Sequence, residues 1–255
     1  MPTDAVAGRL RAHDSDTSLE RATLEIVDSW RAIGAANNAG WCDLMTRAHG
    51  GLGQFAQDAW TCAIRTPPLY PDAVTLVPSL ETTGLLDRID VSEGCTIKDS
   101  FATIDLAAKG FRLLFDAEWI VAPSGSPSPQ TDWAQITDPD DLALWEVAWA
   151  QVEGIGGLFL PTLLLDPSVA VVARLRDGRI ASGAILYCSS GAVGISNVFT
   201  RSGSDAETWT GIIECAHDLF PGIPLVGYES GEQLLRALEH GFEAAGSLRI
   251  WIADS

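Results

Sequence analysis

The second half of the chain has the most regular pattern of apolar and polar positions. Leu142, Trp145 and Trp149 recur at helical spacing behind an Asp-Pro-Asp-Asp start that suits a helix N-terminus. Asp177 and Gly178 separate two strand-like runs and are typical of a β-hairpin turn. The pattern beyond the hairpin predicts, in chain order, a third strand AVGISNVFT, a helix after RSGSDA, a strand IPLVGYE, a helix SGEQLLRALEHGF and a strand SLRIWI.

The first half is less regular, and its elements are predicted from shorter runs. Leu24–Trp30 and Gly53–Ala63 have apolar spacing that predicts helices. Two further runs, YPDAVTLVP and CTIKDS, predict strands, and LETTGLLDRI between them predicts a short helix.

The two halves of the chain end alike. Asp99–Ile120 and Glu229–Ile252 each begin with an acidic residue and a serine, continue as an amphipathic helix, and close with Gly-Phe and a strand ending in Trp-Ile. Gly110 and Gly241 each follow the helical run, where a left-handed residue ends a helix. The shared order indicates an internal duplication.

A segment rich in proline, serine and glycine divides these halves, at residues 123–132. It has no apolar periodicity and predicts a linker between a domain 1–122 and a domain 133–255. We therefore expect an α/β (α+β) protein of two tandem lobes, each a mixed, mostly antiparallel sheet flanked by helices.

Composition narrows the class of protein. Hydrophobic residues make up 47% of the 255 residues and charged residues 20%, the balance of a globular chain. The sequence starts with polar residues and has no apolar run long enough to cross a bilayer, so we expect neither a signal peptide nor a membrane partner. Five scattered cysteines favour a reducing, cytoplasmic location, and neither they nor the four histidines have the spacing of a metal site.

The charge of the chain limits its partners. A formal net charge of −18 would repel a polyanion, so we expect no nucleic-acid partner. A cationic substrate would be attracted, and solubility alone is the other explanation of the acidity.

The C-terminal order resembles the GNAT acyltransferase superfamily. The residues that carry the resemblance are the hairpin VARLRDGRIASGAILYC, the strand VGISNVFT, the turn RSGSDA that opens a helix, and the closing VGYESGEQLLRALEHGFEAAG. The resemblance implies that the third strand splays from its neighbour and contacts the pantetheine arm of acyl-CoA. It also implies that backbone amides of a turn with the pattern Gln/Arg-x-x-Gly-x-Gly/Ala hold the pyrophosphate, as a helix N-terminus can.

The resemblance implies a cofactor site on that strand and turn. The implied positions are Asn197, Val198, Phe199, Thr200, Arg201, Gly203, Ser204, Asp205 and Ala206. The sequence departs from the pattern at Ser204, where glycine is expected, and Asp205 and Glu207 add two carboxylates where the pyrophosphate would lie. The corresponding turn of the first half, Leu76–Glu81, has neither a basic residue nor a glycine, so that lobe is interpreted as a degenerate copy that shapes the site.

Two residues at the end of IPLVGYE are the catalytic candidates. Glu229 could take the proton of the amine, or could be an acid at a helix N-terminus paired with Ser230. Tyr228 could donate to the leaving thiolate, or could point outward from its strand. Asn197 could contact ligand from the splayed strand, or could satisfy a bulge.

Together these features predict an N-acyltransferase with acetyl-CoA, or another acyl-CoA, as co-substrate. The acceptor would be an amine of a small molecule or a peptide, bound in the cleft between the lobes. The alternative is a catalytically inactive pair of lobes that binds a small molecule or a protein as a sensor. Exposed strand edges make a homodimer possible.

Overall fold

The computed structural model describes residues 4–126 and 132–254, with side chains from residue 26 onward. Residues 127–131 of the predicted linker lie outside the described part of the chain. The α-helices are α1 Asp4–Ala48, α2 Thr82–Leu86, α3 Pro139–Glu153, α4 Asp205–Leu219 and α5 Gly231–Glu239. Two 3₁₀ turns cover Ala107–Lys109 and Pro161–Leu165.

The strands fall into two groups along the chain. The first five are β1 Gly53–Phe55, β2 Ala59–Cys62, β3 Ala73–Thr75, β4 Thr96–Asp99 and β5 Phe111–Ala122. The other six are β6 Trp133–Ile136, β7 Val169–Arg176, β8 Arg179–Ser189, β9 Ala192–Thr200, β10 Leu225–Glu229 and β11 Glu243–Ala253. Every element predicted for the second half is therefore present, and the predicted α/β class is confirmed.

All of these strands belong to one sheet, in the order β1-β2-β3-β4-β11-β5-β10-β9-β8-β7-β6. Two neighbouring pairs are parallel, β3 with β4 and β9 with β10, and the other pairs are antiparallel. The pairing of β1 to β4 thus repeats in β7 to β10, which is the arrangement that an internal duplication requires.

The last strand of each half lies beside the other half. β5 lies between β10 and β11, and β11 lies between β4 and β5. The two equivalent strands pair antiparallel with each other, Phe111 opposite Ala253 and Val121 opposite Glu243. Because this pair joins the halves in the middle of the sheet, the division into domains 1–122 and 133–255 stays a prediction.

Helices cover both faces of the sheet. α1 and α3 contact β8 and β9 on one face, and α4 and α5 pack on the other against β8 and β10 respectively. The core around α1 and α3 contains the buried residues Trp41, Met45, Trp60, Trp145, Trp149 and Phe199. The core around α4 and α5 contains Trp209, Ile212, Ala216, Leu225 and Phe242. Burial of large aromatic side chains on both faces is the main source of stability for such a sheet.

Two predicted helices of the first half, Gly53–Ala63 and the one before Gly110, are not present as helices of the predicted length. Gly53–Ala63 is not a helix but contributes β1 and β2, because tertiary packing decides the conformation of this short segment. Its Trp60 is fully buried and donates from Nε1 to the carboxylate of Asp43 on α1, 3.0 Å away. The other predicted helix, Leu24–Trp30, is present as part of α1.

The amphipathic helix predicted before Gly110 is also shortened, to a 3₁₀ turn. The Asp99 carboxylate accepts hydrogen bonds from the amides of Phe101 and Ile104, which bends the backbone away from a helix. Gly110 and Gly241 have φ of 83° and 88°, the left-handed conformation that the sequence predicts for both.

Candidate functional site

The strands β9 and β10 diverge along the sheet. They pair only at Leu225 with Val193 and at Val226 with Gly194, and the rest of each strand leaves the other. The opening between them, here called the fork, is therefore a place where backbone groups of two strands are free of the ladder. This is the splayed pair that the resemblance implied.

A bulge in β9 lies at the fork. The register of β8 and β9 shifts between Gly183 and Ile185, so that Asn197 and Val198 are both placed opposite Ala184. Asn197 has φ of 54°, and its side-chain amide donates to the Ser196 hydroxyl at 3.0 Å. Of the two roles considered for Asn197, the structure shows the bulge, which turns the backbone of β9 toward the fork.

The strand beyond the bulge leads to the turn before α4. Val198 is partly buried, and the Phe199 ring is buried edge-on against Trp145. The hydroxyl of Thr200 donates to that of Thr208 on α4 at 3.0 Å. These contacts fix the position of the helix N-terminus relative to the fork.

The turn itself is closed by a capping box. Gly203 has φ of 102°, and Ser204 is the N-cap of α4, with its hydroxyl accepting from the Glu207 amide. Asp205 and Ala206 form the first turn of the helix. Arg201 begins the turn and is exposed, and its Nη1 donates to the Ile180 carbonyl at 3.0 Å, so its side chain extends toward β8.

A carboxylate lies in the turn where the resemblance implies a pyrophosphate. Glu207 Oε2 accepts from the Ser204 amide at 3.2 Å and from Arg174 Nη1 at 3.0 Å, with Arg176 Nη2 3.7 Å away. The Ser204 amide, and then Arg174, hold the pKa of Glu207 below its usual range. Arg174 also pairs with Asp132 at 2.7 Å. The turn is thus an anion site that the chain fills with its own Glu207.

On the face of α1 the fork opens into a narrow cleft with free space of about 20 Å³, enough for a water molecule. Its walls come from α1, β5, β8, β9 and β10, and include Gly34, Asn38, Trp41, Trp119, Tyr187 and Tyr228. Asn37 fixes the helix against this wall, since its Nδ2 lies within 3.1 Å of the carbonyl oxygens of Tyr187, Ser189 and Ala192. Four of the lining residues are aromatic and two are asparagines, so the walls of the cleft offer apolar rings and side-chain amides.

The two catalytic candidates lie at the end of β10, and one of them lines this cleft. Tyr228 lines the cleft, and its ring meets Trp119 edge-on at 5.7 Å. Glu229 is partly buried one residue further on, opposite Glu118 of β5. Burial, and then the charge of Glu153, raises the pKa of Glu229 to about 7. A carboxyl group with that pKa can exchange a proton near neutral pH.

Ser230 is not what holds the Glu229 carboxylate in place. It is the N-cap residue of α5 but makes no side-chain cap hydrogen bond. The pairing of Glu229 with Ser230, considered from the sequence, is therefore not what holds the carboxylate.

Several residues of the site escaped the sequence analysis. Arg174 and Arg176, whose side chains reach the turn, had a readable signal, because residues two apart share one face of a strand. Asn37, Asn38 and Lys98 had none, since only the tertiary fold brings α1 and β4 to the fork.

Solved structures share this architecture, which is that of the GNAT fold. A GCN5-related N-acetyltransferase from Kribbella flavida matches with a TM-score of 0.59 at 13% identity, over 87% of this chain and 96% of that one. A protein assigned as an acetyltransferase of the GNAT family from Novosphingobium aromaticivorans matches with a TM-score of 0.53 at 16% identity, over 84% and 96%. A GCN5-related N-acetyltransferase-like protein from Streptococcus suis matches with a TM-score of 0.50 at 14% identity, over 88% and 98%.

No protein-family model matches the chain, and no curated protein matches it in sequence. The structural matches establish the fold, and the predicted resemblance to the GNAT superfamily is confirmed at that level. Within the described part of the chain there is no helix long and apolar enough to cross a membrane, and no cluster of three or more potential metal-ligating His, Cys, Asp or Glu residues.

Proposed function

We propose that the protein is an N-acyltransferase that moves an acyl group from acyl-CoA, with acetyl-CoA as the first candidate, to an amine of a small molecule or peptide. The fork between β9 and β10, with the Asn197 bulge at its mouth, is the observation that carries this proposal. It provides free backbone groups beside an aromatic cleft, and the helix N-terminus of α4 follows at the end of the same strand. The structural neighbours described above as N-acetyltransferases or acetyltransferase-like proteins support the same chemistry.

The proposed reaction needs two proton transfers. The amine nitrogen attacks the thioester carbon, the C–N bond forms, and the C–S bond breaks. Glu229 takes the proton from the amine, directly or through water, since its raised pKa of about 7 makes it a competent base at neutral pH. Tyr228, which lines the cleft, donates a proton to the leaving thiolate. A backbone amide at the Asn197 bulge stabilises the oxyanion.

A second function is favoured by a specific contact. Because Glu207 fills the turn before α4, the anion site faces a competing carboxylate held by Arg174 and Arg176. A chain that cannot release Glu207 would bind no CoA and would act as a binding or sensor protein on the same frame.

Calorimetric titration with acetyl-CoA and free CoA separates these functions. Micromolar binding, followed by release of free thiol when an amine is added, supports the enzyme. Absence of heat and of a thermal shift at millimolar CoA would contradict the enzyme and leave the binding protein.

The five free cysteines are consistent with the proposed cytoplasmic location. A homodimer is a further proposal, which sedimentation of the full chain tests.

A further inference from the structure

Lys98 is a buried cation beside the cleft. It lies on β4, in the first half of the chain, and is only 2% exposed. Its position corresponds to that of Tyr228 in the repeated endings Lys98-Asp99-Ser100 and Tyr228-Glu229-Ser230. A lysine buried this completely is ordinarily paired with an acidic group, because removing an ammonium ion from water is costly.

The partners of Lys98 are neutral. Its Nζ donates to Asn38 Oδ1 at 2.7 Å and lies 3.8 Å from the centre of the Tyr228 ring. None of the ion pairs formed among the described residues includes Lys98. Cys42, which hydrogen-bonds the same Asn38 oxygen, supplies no negative charge, because burial raises the pKa of its thiol to about 11.

The neighbouring acids are already engaged elsewhere. The Asp99 carboxylate accepts from backbone amides of the loop after β4. Asp43 accepts from Trp60 and pairs with Arg47 at 3.0 Å. The positive charge of Lys98 is therefore left without an anionic partner among the residues that the structure describes.

Both partners of Lys98 are walls of the cleft. Asn38 and Tyr228 line it, together with Trp41 and Trp119. The ammonium group thus lies directly behind the cleft wall that Asn38 and Tyr228 form.

A second donor without a partner lies in the same region. Tyr70 is 8% exposed, and its hydroxyl has no hydrogen bond of good geometry among the described residues. Its ring packs against Trp41 of the cleft, with 6.4 Å between ring centres, and its hydroxyl is close enough to the side chains of Asn197 and Trp41 to interact weakly with them. A buried hydroxyl without a partner is unfavourable unless a ligand supplies one.

We propose that Lys98 and Tyr70 bind a carboxylate group of the substrate at the inner end of this cleft. The ammonium and the phenol would both donate to the carboxylate oxygens, which supplies the missing anion and the missing acceptor together. This inference rests on the proposed function, and it names the substrate class: a carboxylate carried by the acceptor amine, as in an amino acid, or by the acyl group, as in a dicarboxylic acyl-CoA.

The chain offers a matched control, because its two lysines are Lys98 and Lys109. Lys98→Met keeps the length of the side chain and removes the buried charge, whereas Lys109→Met removes the same charge from an exposed site. Tyr70→Phe removes only the hydroxyl. Thermal melting of the full chain is measured with glycine and alanine and with their amides, a readout that needs neither CoA binding nor acyl transfer.

If the acceptor carries the carboxylate, glycine and alanine raise the melting temperature of wild type and of Lys109→Met, and their amides do not. In Lys98→Met this increase in melting temperature disappears. If the acyl group carries it, succinyl-CoA binds at least about tenfold more tightly than acetyl-CoA, and Lys98→Met removes the difference. Tyr70→Phe reduces either preference several-fold.

The melting temperature of the free variant gives an independent check. Because an unpaired buried charge destabilises the fold, Lys98→Met without ligand should melt at the same temperature as wild type or higher. A Lys98→Met protein that melts well below both wild type and Lys109→Met would assign Lys98 a structural role and overturn the proposal. Equal effects of acids and amides, together with equal binding of the two acyl-CoAs, would also overturn it. CoA binding without any carboxylate preference would refute this inference alone and leave the proposed function standing.

Discussion

Arg174 and Glu207 meet across the turn that opens α4, with Nη1 and Oε2 3.0 Å apart. The pair joins β7 to the helix N-terminus, and the same carboxylate oxygen accepts from the Ser204 amide. The chain thereby supplies its own anion to a position that an incoming phosphate group would need. Binding of CoA must displace this carboxylate, which then leaves two arginines, Arg174 and Arg176, facing the ligand.

Neutralising Glu207 should strengthen CoA binding. We expect Glu207→Gln to raise the affinity for CoA roughly two- to tenfold, because the competing charge is removed and Arg174 becomes available to the ligand. Asp205→Asn is the matched control, since it removes an acidic residue from the same helical turn that makes no contact with either arginine in the ion pairs described. Calorimetric titration with CoA measures both variants. An equal gain in the two variants would show that general repulsion, and not the clamp on Glu207, limits affinity.

The raised pKa of Glu229 predicts how activity depends on pH. As the base, Glu229 must be deprotonated, so kcat/KM should rise as pH increases through about 7. Glu229→Gln should lower kcat/KM roughly a hundredfold or more and abolish this rise. Glu232→Gln, at an exposed position of α5, should leave the profile unchanged. A rise near pH 7 that persists in Glu229→Gln would assign the base to another group.

The same pKa shift has a consequence for stability. Between the pKa of an unfolded glutamate, about 4.3, and a value near 7, the folded state binds more protons than the unfolded state, so stability falls as pH rises. Glu229→Gln should weaken this fall in stability. Urea unfolding at several pH values between about 4 and 8 measures it, and parallel curves for variant and wild type would contradict the shift.

The proposed role of Tyr228 predicts an effect on kcat that is separate from any effect on KM. If the phenol protonates the thiolate, Tyr228→Phe should lower kcat roughly ten- to a hundredfold and leave KM for acetyl-CoA nearly unchanged. The ring that packs on Trp119 and beneath Lys98 is retained in this variant. Steady-state kinetics checks it, and a change confined to KM would assign Tyr228 to binding.

The hydrogen bonds of Asn37 to the β8–β9 hairpin should contribute to the stability of the fold. Asn37→Leu should lower the free energy of unfolding by roughly 2–4 kcal/mol, because carbonyl groups of the β8–β9 hairpin lose their donor in a buried position. Gln151→Leu, on the exposed side of α3, should change it by less than about 0.5 kcal/mol. Urea denaturation measures both. A small effect at Asn37 would show that α1 is held by apolar packing alone.

The sequence was most informative where a local pattern and the tertiary environment agree. The hairpin at Asp177-Gly178 and the left-handed Gly110 and Gly241 follow from local backbone chemistry, and each is present. Gly53–Ala63 was misassigned because its burial depends on Trp60 reaching α1, which no local pattern contains.

The candidate site likewise contains residues that the sequence could predict and residues that it could not. The run from Asn197 to Ala206 could be located from its motif, and the structure places it along the fork and the turn. The contributions of Asn38, Lys98 and Tyr70 could not be predicted, because they come from parts of the chain that lie far apart in sequence and meet only when the sheet forms.

The placement of β5 and β11, each of which pairs with strands of the other half, has a consequence for biosynthesis. On one edge β4 pairs with β11 of the second half, so the first half keeps an open edge until that half has been made. Pairings over such a sequence separation form slowly and expose strands to wrong partners in the meantime. During synthesis the first half is therefore made before the strand that completes its sheet, and it stays incomplete until β11 has left the ribosome.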